Sequence, residues 1–141
     1  MKLSDFYTRE RANQGERMPL ALPDGTPSES YLVIRGADSD AVRAAVDEFR
    51  RDLLRLSGAE DKAERTTGES QARIRLTSAM VAGWSFDEPF TDAVLAELLR
   101  EAPYIADQVQ RFTEDRQRFF GKRSASGQNS SLPSLSTNSA C

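Results

Sequence analysis

The stretch that most constrains this chain is Val81-Ala82-Gly83-Trp84-Ser85-Phe86-Asp87-Glu88-Pro89-Phe90-Thr91, which gathers the only tryptophan and two phenylalanines. Each such ring removes about 150–250 Å² from water when buried, so the three must sit where two elements turn past each other. Gly83 stands where one helix is expected to stop and Thr91 where the next is expected to start. Thr91 reads as an N-cap with Asp92 in the positive first turn. Phe90 before the cap and Leu95 at the fourth helical position have the spacing of a hydrophobic staple. The stretch is therefore expected to fix the angle between two helices.

The segments on either side read as follows. Met18, Leu20 and Leu22 alternate with Pro19, Ala21 and Pro23. Pro23-Asp24-Gly25-Thr26 then supplies turn chemistry, and Tyr31-Leu32-Val33-Ile34 is a β-type run ended by Gly36. Together they predict a β-hairpin over about 16–35, with the proline-bearing strand at an edge because proline has no N–H to donate. A lone hairpin is marginal in water, so it must pack on helices or on a partner chain.

Asp38-Ser39-Asp40 offers capping oxygens, and Val42, Val46, Phe49, Leu53 and Leu56 recur at helical spacing, predicting a helix over about 40–57 with Asp47 and Arg51 as an i, i+4 pair. Residues 59–71 are polar and interrupted by Gly68, reading as a linker or the solvated start of the next helix. From there Ile74, Leu76, Met80 and Val81 predict a helix over about 70–82, expected to be the most buried. Val94, Leu95, Leu98 and Leu99 form the apolar face of a helix over about 92–101. Pro103, suited to a first helical position, opens another over about 103–120 carrying Ile105, Val109, Phe112 and Phe119, with Arg116 interrupting the stripe. Its exposed side is expected to pair Asp107 with Arg111 and Glu114 with Arg118.

The fold class is thus mainly α with a small N-terminal β-hairpin (α+β), four or so helices in a single domain over 1–120 and a disordered Ser-rich C-terminal tail over 121–141. In that tail only Leu132 and Leu135 are bulky, too little apolar surface to offset chain entropy.

The chemistry is restricted by what the chain lacks. It has no histidine and a single cysteine, Cys141, which excludes the usual zinc sites and histidine-based triads and leaves no metal or cofactor to expect. Asp87 and Glu88 are the best carboxylate pair, yet neighbours in sequence seldom converge on one substrate, and Asp-Glu-Pro between apolar anchors reads first as a helix-entry turn. No enzymatic activity is expected. No apolar run approaches the roughly 20 residues of a membrane span, and the start Met1-Lys2-Leu3-Ser4-Asp5 lacks a signal-peptide core, so a cytoplasmic location is expected. Arg116, Arg118, Lys122 and Arg123, interleaved with Phe112, Phe119 and Phe120, could touch nucleic acid. The net charge of -3 and the acidic residues among them argue against it.

Three segments in order carry a resemblance: Met1 to Tyr7, Leu22-Pro23-Asp24-Gly25-Thr26 followed by Tyr31 to Asp40, and Gly83 to Thr91. Together they resemble the tail assembly chaperones of long-tailed bacteriophages and prophages over roughly residues 1–120. The resemblance implies a non-enzymatic protein of the bacterial host cytoplasm. It would bind the long, aggregation-prone tape measure protein, keep it soluble and help bring the major tail protein to it, with copies arrayed along the client as one arrangement. A longer product arising by frameshifting near Gly121-Lys122 is a further implication. Trp84, Phe86, Phe90, Leu95, Leu98, Phe112 and Phe119 are then expected as framework or client-binding surface. The alternative from the residues themselves is a small helical regulator that binds nucleic acid through the C-terminal basic region.

Overall fold

In the computed structural model, which describes residues 1–120, a three-stranded antiparallel sheet backs onto a set of helices. After a single 3-10 turn at Leu3–Phe6 come α1 (Arg9–Gln14), β1 (Glu16–Ala21), β2 (Pro27–Ile34), α2 (Asp40–Leu56) and α3 (Lys62–Ala79). β3 (Val81–Trp84), α4 (Asp92–Glu101), α5 (Pro103–Glu114) and α6 (Gln117–Phe120) complete the described chain. The four longer helices answer to the four expected; α1 is a short addition, and α6 is the detached end of the helix expected over 103–120.

The hairpin forms where its turn chemistry places it. Gly25 adopts φ +91°, the Asp24 carboxylate accepts from the Thr26 N–H at 2.9 Å, and Leu22 N donates to Thr26 O at 2.9 Å. β1 is an edge strand, as its proline requires. Strand alternation sends Met18, Leu20, Leu32 and Ile34 into the core, where they meet Val42, Leu95, Leu99, Ile105, Val109, Phe112 and Phe119. The opposite face carries Arg17, whose guanidinium lies 4.4 Å over the Tyr31 ring.

The hairpin is part of a larger sheet than the sequence predicts. Residues 81–84, expected as the end of a helix over 70–82, form β3, which pairs with β2 through Leu32↔Trp84, Val33↔Gly83 and Ile34↔Val81. The helix stops at Ala79 because its last carbonyls find other partners. The Arg35 N–H donates to Met80 O at 2.7 Å, and the Arg35 guanidinium donates to Ala79 O at 2.9 Å and Val81 O at 3.1 Å.

At its other end α3 begins earlier than expected, at Lys62, where the Asp61 carboxylate caps Ala63 N at 3.0 Å. Gly68, which reads as an interruption, lies in mid-helix at a close approach to α2: a Cβ there would come within 2.5 Å of a Leu56 methyl. Asp52 of α2 ties the two helices together by accepting from Arg75 of α3 at 3.0 Å, and it also accepts from Arg55 of its own helix at 3.3 Å. Being held partly by polar contacts, α3 buries only Ala72 and Thr77; the most buried helix is α5, with Ile105, Val109, Phe112 and Thr113.

The helix expected over 103–120 is broken. α5 ends at Glu114, Asp115 is extended, and α6 follows, so that Arg116 falls in the break and reaches Asp38 with two bonds of 2.8 Å. The expected surface pairs shift as well. Asp47 meets Arg50 at 3.7 Å rather than Arg51, Arg118 meets Asp115 at 3.3 Å rather than Glu114, and Asp107 and Arg111 make no ion pair among the described residues. The expectations for residues 121–141, an unstructured tail and the Gly121-Lys122 junction, lie outside the described residues.

Candidate functional site

The aromatic stretch becomes a shelf at the end of the sheet. Trp84 is the last residue of β3, opposite Leu32, so its ring leaves the sheet on the core side and packs at the core's rim. Phe86 meets it edge-on at 5.4 Å and 67°, and Phe90 does so at 4.9 Å and 88°, the geometry that sets a ring's positive edge against another's negative face. The indole N–H donates to Glu88 O at 2.9 Å and draws the intervening loop into a closed turn. α4 supplies the other wall, and Trp84, Phe86, Glu88, Val94 and Leu98 line an open cleft of about 180 Å³.

This arrangement separates the seven residues singled out from the sequence. Leu95, Phe112 and Phe119 are buried in the core, with the rings of Phe112 and Phe119 edge-on at 5.8 Å. Trp84, Phe86 and Leu98 are half-buried at its rim, and Phe90 is 40% exposed. Thr91 caps the helix, accepting from Val94 N at 3.2 Å, while Phe90 lies edge-on to Trp84 and Leu95 is buried in the core. The stretch therefore joins a strand to a helix and leaves part of its aromatic surface facing solvent.

The polar groups of the stretch serve the architecture. The Ser85 hydroxyl accepts from Tyr31 N at 2.8 Å, extending the β2–β3 ladder by one rung through a side chain. Asp87 and Glu88 are exposed on the loop. Among the described residues no group of three or more His, Cys, Asp or Glu is placed to hold a metal ion, and no helix is long and apolar enough to cross a membrane.

Two of the four basic residues considered for nucleic acid, Arg116 and Arg118, are engaged within the protein. Arg116 donates through Nε and a terminal nitrogen to both Asp38 oxygens, a bidentate pair that holds the Asp38 carboxyl down at about 2. Arg118 meets Asp115 and lies 5.1 Å over the Phe112 ring. Lys122 and Arg123 lie outside the described residues.

Three residues not expected at a site from the sequence also matter. Val94 lines the cleft, a role visible only once Phe90 is known to face Trp84. Tyr104 and Gln108, one turn apart on α5, donate to Ala21 O at 2.9 Å and Pro19 O at 3.3 Å and so cover the outer edge of β1. Their i, i+4 spacing was legible; their target was not.

No curated protein and no solved structure matches the chain. A family model described as phage tail assembly chaperone matches residues 15–123, which takes in the whole sheet and the helices from α2 to α6 and leaves the Met1–Tyr7 segment outside. With most of its length matched, the chain belongs to the phage tail assembly chaperone family.

Proposed function

We propose that this protein binds the tape measure protein in the bacterial host cytoplasm, keeps it soluble and brings the major tail protein to it as the tail tube assembles, without catalysing a reaction. The residues over 1–120 act as one unit in this role. The observation that carries the reading, beside family membership, is the half-open aromatic shelf of Trp84, Phe86, Phe90 and Leu98. It is apolar surface that the protein's own core leaves uncovered, and it borders a cleft wide enough for an aliphatic side chain.

One client side chain buried there contributes about 1.5–3 kcal/mol, too little alone for stable capture. A long client with many apolar stripes can engage many copies, and copies arrayed along it supply the avidity that one shelf lacks. The nucleic-acid reading has less support, because Arg116 and Arg118 are committed to Asp38 and Asp115.

Light scattering tests the proposal. Tape measure protein diluted from denaturant should aggregate alone and stay clear when this chain is present in molar excess. Aggregation that proceeds at the same rate with the chain as with an unrelated helical protein would refute it.

A further inference from the structure

On the other side of α4 from the aromatic shelf, α3, α4 and α5 border an open groove of about 700 Å³. Its base is apolar and built from the half-buried Ile74 of α3, Ala96 and the buried Leu99 of α4, and Ala106 of α5. Two polar side chains of the lining, Thr77 and Gln110, are satisfied within the protein. Gln110 Nε2 donates to Thr77 Oγ1 at 3.3 Å, and that hydroxyl donates to Arg73 O at 3.0 Å. The base thus presents little to recognise a polar small molecule, and its shape and chemistry suit a row of apolar side chains.

The rim has the opposite sign to the rest of the molecule. The chain carries a net charge of -3, yet Arg73, Arg75 and Arg100 stand around this groove against Asp107 alone. Arg75 pairs with Asp52 at 3.0 Å and Arg73 lies 5.6 Å over the Phe49 ring. Arg100 makes no ion pair among the described residues. A guanidinium left at the edge of an apolar groove is placed to meet a carboxylate that arrives with the occupant.

We propose that the groove between α3, α4 and α5 is a docking site for an amphipathic helix of the client whose apolar stripe is flanked by carboxylates. Side chains at i, i+3, i+4 and i+7 of such a helix would enter over Ala96 and Ala106, where the small residues permit close approach, while its acidic flank meets Arg100. The charge pattern selects this occupant over two others. A second copy offering the same groove would bring arginines against arginines, and residues 121–141 contain no aspartate or glutamate to complement the rim. The proposal rests on the reading that this chain holds a helical client. It names a second contact, separate from the shelf, and the acidic character of what fills it.

The test uses the full chain and two fluorescein-labelled helical peptides with the same Leu/Ile stripe, one flanked by Glu and one by Lys, followed by anisotropy. Trp84, on the shelf side of α4, serves as an internal reporter. The Glu peptide is expected to bind at least tenfold more tightly than the Lys peptide at low salt, with the preference shrinking as salt rises and Trp84 emission unmoved. Arg100→Glu, an exposed change that spares the core, should reverse the preference, and Ala96→Trp should weaken both peptides by filling the groove.

Equal binding of the two peptides, indifference to Arg100→Glu, or a shift in Trp84 emission would overturn the proposal. So would a change of oligomeric state in Arg100→Glu, which would assign the groove to a second copy. A wild-type chain that binds the Glu peptide yet fails to protect tape measure protein refutes the client reading and leaves the groove's preference standing. A chain that protects the client equally well with and without both substitutions refutes the groove.

Discussion

Phe119→Ala tests the division between framework and surface most sharply, because Phe119 is 2% exposed yet sits on a helix of only four residues at the end of the described chain. Its ring packs edge-on against Phe112 at 5.8 Å. Removing a buried phenylalanine returns about 200 Å² of apolar contact to solvent or void, which at about 25 cal/mol per Å² sets an upper bound near 5 kcal/mol. The actual loss should be smaller. α6 can undock without unfolding the sheet, so the cost is capped by its own docking free energy, and we expect about 3 kcal/mol.

A domain of this size has about 5–15 kcal/mol to lose, so the variant should still fold. Urea titration followed by Trp84 fluorescence, on β3, and by circular dichroism reads the change. Phe119→Leu, closer in volume, should recover more than half of it. A loss below about 1 kcal/mol for Phe119→Ala would mean that the ring is not part of the framework, and the assignment of Phe112 and Phe119 to the core would fall with it.

Three further outcomes follow from the same geometry. The Asp38 carboxyl is held down at about 2 by Arg116, below its ordinary 3.8; the pair therefore stabilises the fold above about pH 4 and ceases to as the pH falls toward 2. With Arg116 61% exposed, its worth is about 1 kcal/mol, and Asp38→Asn should lose that at pH 7 while flattening the acid limb of a thermal-melt series. Trp84→Ala should cost about 2 kcal/mol by urea titration monitored by circular dichroism, less than for a fully buried ring, and should release the loop that the Glu88 carbonyl closes. Tyr104→Phe combined with Gln108→Ala uncovers the carbonyls of Ala21 and Pro19; faster concentration-dependent aggregation by light scattering is expected, with a stability loss of about 1–2 kcal/mol.

What could be read from the residues was local. The turn at Pro23-Asp24-Gly25, the cap at Ser39, which accepts from Val42 N at 3.2 Å, the cap at Thr91 and the helix start at Pro103 each depend on a few neighbours in sequence, and each stands where expected. β3 was hidden because Val81 to Trp84 prolong an apolar run, and four residues are too few to distinguish periods of 2 and 3.6. Its pairing partner lies far back in the chain, and the side chain that ends the preceding helix, Arg35, belongs to that partner's end.

The same long-range pairing explains the candidate site. The three rings were legible as a cluster, but which of them would face water depends on how β3 meets β2 and was beyond any local pattern. The early start of α3 was obscured because its first turns carry no apolar stripe: Asp61 caps them, Arg65 donates to Ala59 O in the preceding loop, and Gly68 admits the Leu56 side chain of α2. Arg116 looked like a flaw in a helix and proved to be where the helix breaks to reach Asp38.

The central claim is that the exposed shelf of this fold keeps a tape measure protein in solution, and co-expression measures it most directly. The soluble fraction of tape measure protein should rise in the presence of the wild-type chain, with the two purifying together. Phe90→Asp, at a position 40% exposed and outside the core, should leave the melting profile nearly unchanged and return the client to the pellet. A client that stays insoluble beside the wild-type chain, or stays soluble and bound beside a folded Phe90→Asp variant, would contradict the account.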